Sequence, residues 1–264
     1  MKELIRSAAK LASVAADPFF GSFPGPRILI YHQIGAGLGR QMEVTRKAFA
    51  EQLDWLVGHG SVVTLDEAIA QRGRAGDERR FVLTFDDGYD DFYTFGYPEL
   101  VKRNLPFTLY LTTHPVETRK PLTPGGKAEP LTWGQVEAMY ASGMMTVAAH
   151  THRHLDLRTL GRDAAEEDLA ACDELIEQRL GLRPAHFAYP WGYWSDLADE
   201  PVRRRYATAT LGSGPGITEA SDVHLLHRVP IQLSDTSLFF KRKMRSGMRL
   251  EDVMRRKLKG YAGP

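Results

Sequence analysis

The sequence predicts an α/β protein with a largely parallel sheet, either closed as a barrel or open and doubly wound. Three observations carry this. Short apolar runs rich in β-formers recur near residues 28, 62, 82, 108, 146, 187, 208 and 229, spaced widely enough for helical crossovers. Helical periodicity with start and stop signals fills several of the gaps. His32, Asp86, Asp87, His150 and Tyr189 all fall at C-terminal ends of strand candidates, where α/β sheets place their chemistry.

Taken in order, residues 1–16 read as a helix with a weak stripe that includes Leu4, Ile5 and Leu11, ended by Pro18. Residues 27–32 are a continuous apolar strand closing on His32, followed by a loop containing Gly35, Gly37 and Gly39. Thr45 caps a helix carrying Phe49, Leu53 and Leu56, with Gly58 and Gly60 as its stop. A short strand at 61–64 precedes a helical turn for which Asp66 is the expected cap. Residues 80–87 form a buried strand, 98–103 a helix with Pro98 in its first turn, and 107–111 another strand. Residues 114–130 read as one long irregular connection. Thr132 and Gln135 make a capping box for a helix reaching about residue 142. A strand at 144–149 runs into His150, and residues 162–180 give the clearest helical stripe. Strands at 186–189, 206–211 and 225–231, with a helical turn at 199–205, complete the pattern before one basic C-terminal helix.

The chain of 264 residues suits one large domain or two small ones, and its net charge of +1 argues against nucleic acid as a partner. The charge is uneven: from Phe240 onward nine Lys and Arg face only Glu251 and Asp252. Such a run is either a solvated helix face or a peripheral contact with an acidic membrane, the solvated face being the default. The single Cys172 excludes an intrachain disulfide and a Cys-rich metal site. Asp17 interrupts the apolar N-terminal stretch, which makes a poor signal peptide, so a cytoplasmic or membrane-peripheral protein is expected.

Asp86 and Asp87 end the strand Phe81-Val82-Leu83-Thr84-Phe85. One Asp there would read as a helix N-cap. Two adjacent carboxylates need a cation or a proton to offset their repulsion. His150-Thr151-His152-Arg153-His154 supplies three histidines, and a helical turn starting at His150 would point His150 and His154 the same way. Two imidazoles and a carboxylate make a facial set with positions open to water and substrate. His152, between them, is expected to point elsewhere.

Together Thr84-Phe85-Asp86-Asp87-Gly88, the His150 to His154 stretch and Phe187-Ala188-Tyr189-Pro190-Trp191-Gly192 resemble the first three motifs of the polysaccharide deacetylases, carbohydrate esterase family 4. The resemblance runs from about residue 27 to 232. It implies a distorted seven-stranded (β/α) barrel that removes N-acetyl or O-acetyl groups from sugars. It implies Asp87, His150 and His154 as ligands of a divalent metal, zinc first and nickel or cobalt as alternatives, with Asp86 as catalytic base. His227, in Leu225-Leu226-His227, resembles the general acid of the fifth motif; a strand-edge histidine is the other reading. Tyr189, Pro190 and Trp191 resemble the groove wall; Tyr31, Tyr189, Trp191 and Trp194 are either core aromatics or a sugar platform, Trp191 and Trp194 being better placed for the latter, and His32 is expected in the same pocket. The division implied is 1–26 as helix and loop, 27–232 as catalytic domain and 233–264 as a basic helical extension on or beside the barrel. Two departures stand out: the third-motif Arg is Ala188 here, as in the subgroup acting on poly-N-acetylglucosamine, and no fourth-motif Asp is found to orient the base.

The leading expectation is therefore metal-dependent N-deacetylation of a glycan or glycoconjugate. Hydrolysis of another amide or imide on a small molecule is the second enzyme reading. A non-catalytic carbohydrate-binding protein on the same fold is the third.

Overall fold

The computed structural model describes residues 2–123, 125–214 and 216–259. Leu4 and Ile5 of the N-terminal stripe, and Arg255, Arg256, Lys257 and Lys259 of the basic run, lie outside the described side chains. The strands are β1 (Arg27–Tyr31), β2 (Gln33–Ile34), β3 (Glu43–Val44), β4 (Ser61–Val62), β5 (Arg80–Asp87), β6 (Phe107–Leu111), β7 (Met145–Ala149), β8 (His186–Ala188), β9 (Thr208–Thr210) and β10 (Val229–Pro230). Seven of them run in the order β10-β1-β5-β6-β7-β8-β9, all parallel, with β4 paired beside the start of β5. A parallel bridge from Thr210 to Leu226, in the segment leading into β10, brings the two edges together. The result is a curled, partly open parallel sheet, consistent with the distorted barrel that the resemblance implied.

Alternation along the strands sorts the side chains. Leu29, Tyr31, Leu83, Phe85, Leu109, Val147 and Phe187 face outward into the main core under the helices. Phe85 stacks on Phe92 at 4.0 Å and on Tyr31 at 5.5 Å. Because Phe85 points outward, its neighbours Thr84 and Asp86 point into the barrel. The interior is apolar at one end, with Ile28, Val82 and Leu226 in contact. Towards the C-terminal ends of the strands it becomes polar: Thr84, Asp86, Thr108, Thr210 and Arg228 are all buried.

The outer helices are α1 (Lys2–Phe20), α2 (Arg46–His59), α3 (Leu65–Gln71), α4 (Tyr97–Arg103), α5 (Thr113–Thr118), α6 (Trp133–Ala141), α7 (Arg162–Leu180), α8 (Asp196–Arg205), α9 (Ser237–Arg245) and α10 (Arg249–Lys259). Five expectations are corrected. Thr64, not Asp66, caps α3, because its extended backbone lets it exchange hydrogen bonds with Glu67. The glycine loop after His32 is organised: β2 and β3 pair, and the buried Glu43 carboxylate accepts the N–H groups of Gly37, Leu38 and Gly39. α5 interrupts the irregular stretch 114–130. The basic C-terminal run is two helices, and α1 continues past Pro18.

The solvated reading holds for the exposed Lys241 and Arg245 but is corrected for Lys243. Lys243 is buried, donating to Asp235 at 2.7 Å and to the Pro230 carbonyl of β10 at 2.9 Å. Lys10 of α1 bonds the other Asp235 oxygen, and Glu251 of α10 lies 3.8 Å from both ammonium groups. This cluster ties α1, α9 and α10 to the barrel edge. Burial pushes the Asp235 carboxyl up, but Lys243 and Lys10 outweigh it and hold it below the usual range. Burial, then Lys243, pulls Lys10 down, so Asp235 is the member whose charge the cluster favours.

Asp235→Ala strands two buried cations, and urea unfolding should show a loss of about 3–5 kcal/mol. A carboxyl with a depressed folded-state pKa stabilises above its unfolded value. In the parent protein this contribution should be fully present above about pH 4 and fade as pH falls below it; in the variant that part of the pH dependence should vanish.

Candidate metal centre

The site lies where β5, β7 and β8 end. In a regular strand Asp86 and Asp87 would face opposite sides of the sheet. Asp87 instead has φ 76°, which turns its carboxylate to the same side as Asp86. Gly88 follows at φ 88°, and a Cβ there would lie 2.8 Å from Leu111 Cδ1. The local chain can make this reversal only with glycine next.

Asp87 Oδ1 lies 3.4 Å from His150 Nε2 and 3.2 Å from His154 Nε2. One donor atom from each of the three residues falls within 4.8 Å of the other two. His150 Nδ1 is 2.7 Å from the Ala188 carbonyl of β8. A carbonyl only accepts, so Nδ1 carries the hydrogen and Nε2 offers its lone pair to the centre. The loop bearing the histidines is not the helical turn suggested by their spacing. Thr151 and His154 both have left-handed backbone (φ 65° and 56°), and the His154 N–H donates to Thr151 Oγ1 at 3.0 Å. His152 points away: its ring meets Thr113 Oγ1 at 2.8 Å, and its N–H donates to Asp168.

These residues fit a divalent metal. Asp87 Oδ1 is buried and has no hydrogen-bond partner among the described residues, as a ligand oxygen would. The His150 tautomer is set by an outer carbonyl, the usual arrangement for a ligating imidazole. One carboxylate and two imidazoles suit zinc, nickel or cobalt.

Asp86 is held differently. Arg228 donates to both its carboxylate oxygens, each at 2.7 Å, and also to Thr84 Oγ1 and the Leu211 carbonyl. The guanidinium crosses the interior over Tyr110, 4.9 Å from the ring centre. Ala148 and Ala188 also line this part of the barrel, and their small side chains leave it room. Burial pushes the Asp86 carboxyl up, but Arg228 and His150 override it. For Asp87 the same penalty is overridden by His154 and His150, well below the usual range. Both carboxylates therefore remain ionised.

The remaining candidates separate. His32 follows β1, half-buried, within electrostatic reach of Asp87, Asp86, Arg228 and His150; burial lowers its pKa most. Trp191 is 56% exposed, has φ 61° and lies 5.1 Å from the His154 ring. Tyr189 and Pro190, expected in the groove wall, are both buried. Tyr189 is fully buried edge-on to Phe187, and Pro190 is buried beside it, so Trp191 alone of the three offers an exposed ring. Trp194 is half-buried with its N–H on Asp199 at 3.0 Å. His227 directs Nδ1 to the Ser213 carbonyl, and Gly214 stands where any Cβ would overlap the His227 side chain. The sequence reading missed Arg228. Its one signal was a full charge inside the strand-like stretch Leu225-Leu226-His227-Arg228-Val229.

Arg228→Met leaves Asp86 buried without a counter-charge, and urea unfolding should register a loss of about 3–5 kcal/mol. Arg228→Lys keeps the charge without the two-point contact and should fall between the variant and the parent.

The profile of the polysaccharide deacetylase family matches residues 73–208. YxkH of Bacillus subtilis is 25% identical over 208 residues, 77% of this chain and 70% of that one. The poly-beta-1,6-N-acetyl-D-glucosamine N-deacetylase of Staphylococcus epidermidis is 25% identical over 170 residues, 60% of this chain. The chain matches 56% of that relative's length. Among solved structures, the deacetylase PplD of Streptococcus pyogenes, in complex with acetate, shares the fold with a TM-score of 0.71 at 23% identity, covering 84% of this chain and 99% of that one. The matched segment spans just over half the chain and includes β5 with its two carboxylates, both histidines of the cluster and the Tyr189–Trp191 turn; the chain belongs to the polysaccharide deacetylase family.

Proposed function

We propose that the protein is a metal-dependent hydrolase that removes N-acetyl groups from amino sugars in a glycan. The observation that carries this is the pairing of a buried Asp87/His150/His154 cluster with a second carboxylate, Asp86, fixed beside it. A divalent metal held by the cluster, zinc in the first instance, would act as a Lewis acid on an acyl oxygen and make water more acidic. Asp86, ionised and aimed by Arg228, takes the proton of the attacking water. Arg228 holds the carboxylate at two points, so the base keeps its direction as its charge changes. His227 is the proposed acid for the departing amine. Its Nδ1 is committed to the Ser213 carbonyl, so proton transfer passes through Nε2. The exposed Trp191 ring offers a flat apolar surface for the face of a sugar next to His154.

For the substrate class, we place the protein nearest the group acting on poly-N-acetylglucosamine. Support comes from Ala188 in the third motif and from the Staphylococcus epidermidis relative, whose substrate is named as β-1,6-linked N-acetylglucosamine.

Acetate release should be measured on β-1,6-linked and β-1,4-linked N-acetylglucosamine oligomers with protein of known metal content. The expected order is β-1,6 above β-1,4. Asp86→Asn should lower kcat by about 10²–10⁴-fold and keep its metal. His150→Ala should lose the metal by elemental analysis. Metal-loaded protein that releases no acetate from any N-acetylated sugar would end this reading and favour a binding role or another amide.

Trp191→Ala separates binding from chemistry. It should raise KM roughly three- to tenfold and leave kcat near the parent value.

A further inference from the structure

α1 is built inside out. Its polar residues Lys10, Ser13 and Asp17 are buried, and the Ser13 hydroxyl accepts the Glu251 N–H of α10 at 3.2 Å. Its opposite side, one stripe at helical spacing, is apolar and exposed: Leu11 is 59% exposed and Phe19 88%, with Ala8, Ala12 and Ala15 along the same line. α10 repeats the inversion. Glu251 and Asp252 turn inward, Asp252 onto the Ser213 hydroxyl, and Val253 turns outward. A helix packed on a protein core normally does the reverse, and no described residue covers either outward stripe.

The charge of this layer is just as one-sided. Every acid in residues 8–20 and 233–254, namely Asp17, Asp235, Glu251 and Asp252, is buried. The cations Lys241 and Arg245 of α9 are exposed, on one stripe with Leu238. Among its described residues the layer therefore presents apolar side chains bordered by positive charge, with Glu51 of α2 the exposed acid beside Lys241. A second copy of the chain would set cation against cation across the contact. No helix of the described residues is long and apolar enough to cross a membrane. We infer that the α1/α9/α10 layer docks on the surface of an anionic lipid bilayer, with Leu11 and Phe19 entering the headgroup boundary and Lys241 and Arg245 meeting lipid phosphates. The buried Lys10–Asp235–Lys243 cluster then serves to hold the polar side of α1 inward so that its apolar side stays out.

The test is flotation of the full chain with vesicles of phosphatidylcholine alone and of phosphatidylcholine mixed with phosphatidylglycerol. Binding to the mixed vesicles should be at least about tenfold tighter and weaken with salt. The paired substitutions Leu11→Ser with Phe19→Ser, and separately Lys241→Glu with Arg245→Glu, should each lower that binding about tenfold or more. Both should keep the parent melting temperature and acetate release from a soluble oligosaccharide. The inference is overturned if the parent ignores anionic vesicles or if both variants bind them as the parent does. It is also overturned if the parent is a dimer in solution that Leu11→Ser with Phe19→Ser dissolves, since the stripe then belongs to a second copy.

Discussion

Two carboxylates on adjacent residues, both buried, cannot share one environment. At about 4 Å separation and an effective dielectric near 20 they repel by roughly 4 kcal/mol, before the cost of taking either from water. The top of the barrel is arranged around that constraint. Asp86 follows the strand's alternation inward and meets Arg228; Asp87 leaves the strand geometry and meets two imidazoles. Each carboxylate has its own compensating group, and this gives the neighbours different chemistry. The one with both oxygens hydrogen-bonded keeps a fixed direction. The one with an orphaned oxygen has a site to offer a cation.

The geometry is held at the expense of the backbone. Asp87, Thr151, His154 and Trp191 all take left-handed backbone without being glycine, and all four lie at this end of the barrel. Such residues cost of order 1–3 kcal/mol each. Their restraints are visible: Gly88 permits the turn after Asp87, Thr151 Oγ1 pins the His154 N–H, and Asp168 holds the intervening His152. The packing of Phe85, Phe92 and Tyr31 beneath β5 supplies a rigid floor for these strained positions.

Much of this was legible in the residues. The strand ends, the capping box at Thr132 and Gln135, the α7 stripe and the two histidines of the cluster are local patterns, written in spacings of two to four residues. Arg228 was not legible, because what makes it part of the site is a partner 142 positions earlier. The histidine turn was misread for a related reason: spacing of four suits a helix, and only the fold shows two left-handed residues achieving the same convergence. The basic tail misled in another way. Composition describes a run of cations but not which of them meets Asp235 across the molecule.

Arg228 also ties chemistry to the order in which the chain is made. The residues of the candidate metal site and Asp86 lie in strands and loops complete by residue 154, whereas the arginine that aims Asp86 belongs to the segment entering the last strand of the barrel. The Ala188 carbonyl that sets the His150 ring comes between them in the chain. Closing the sheet and orienting the Asp86 carboxylate are therefore one structural event.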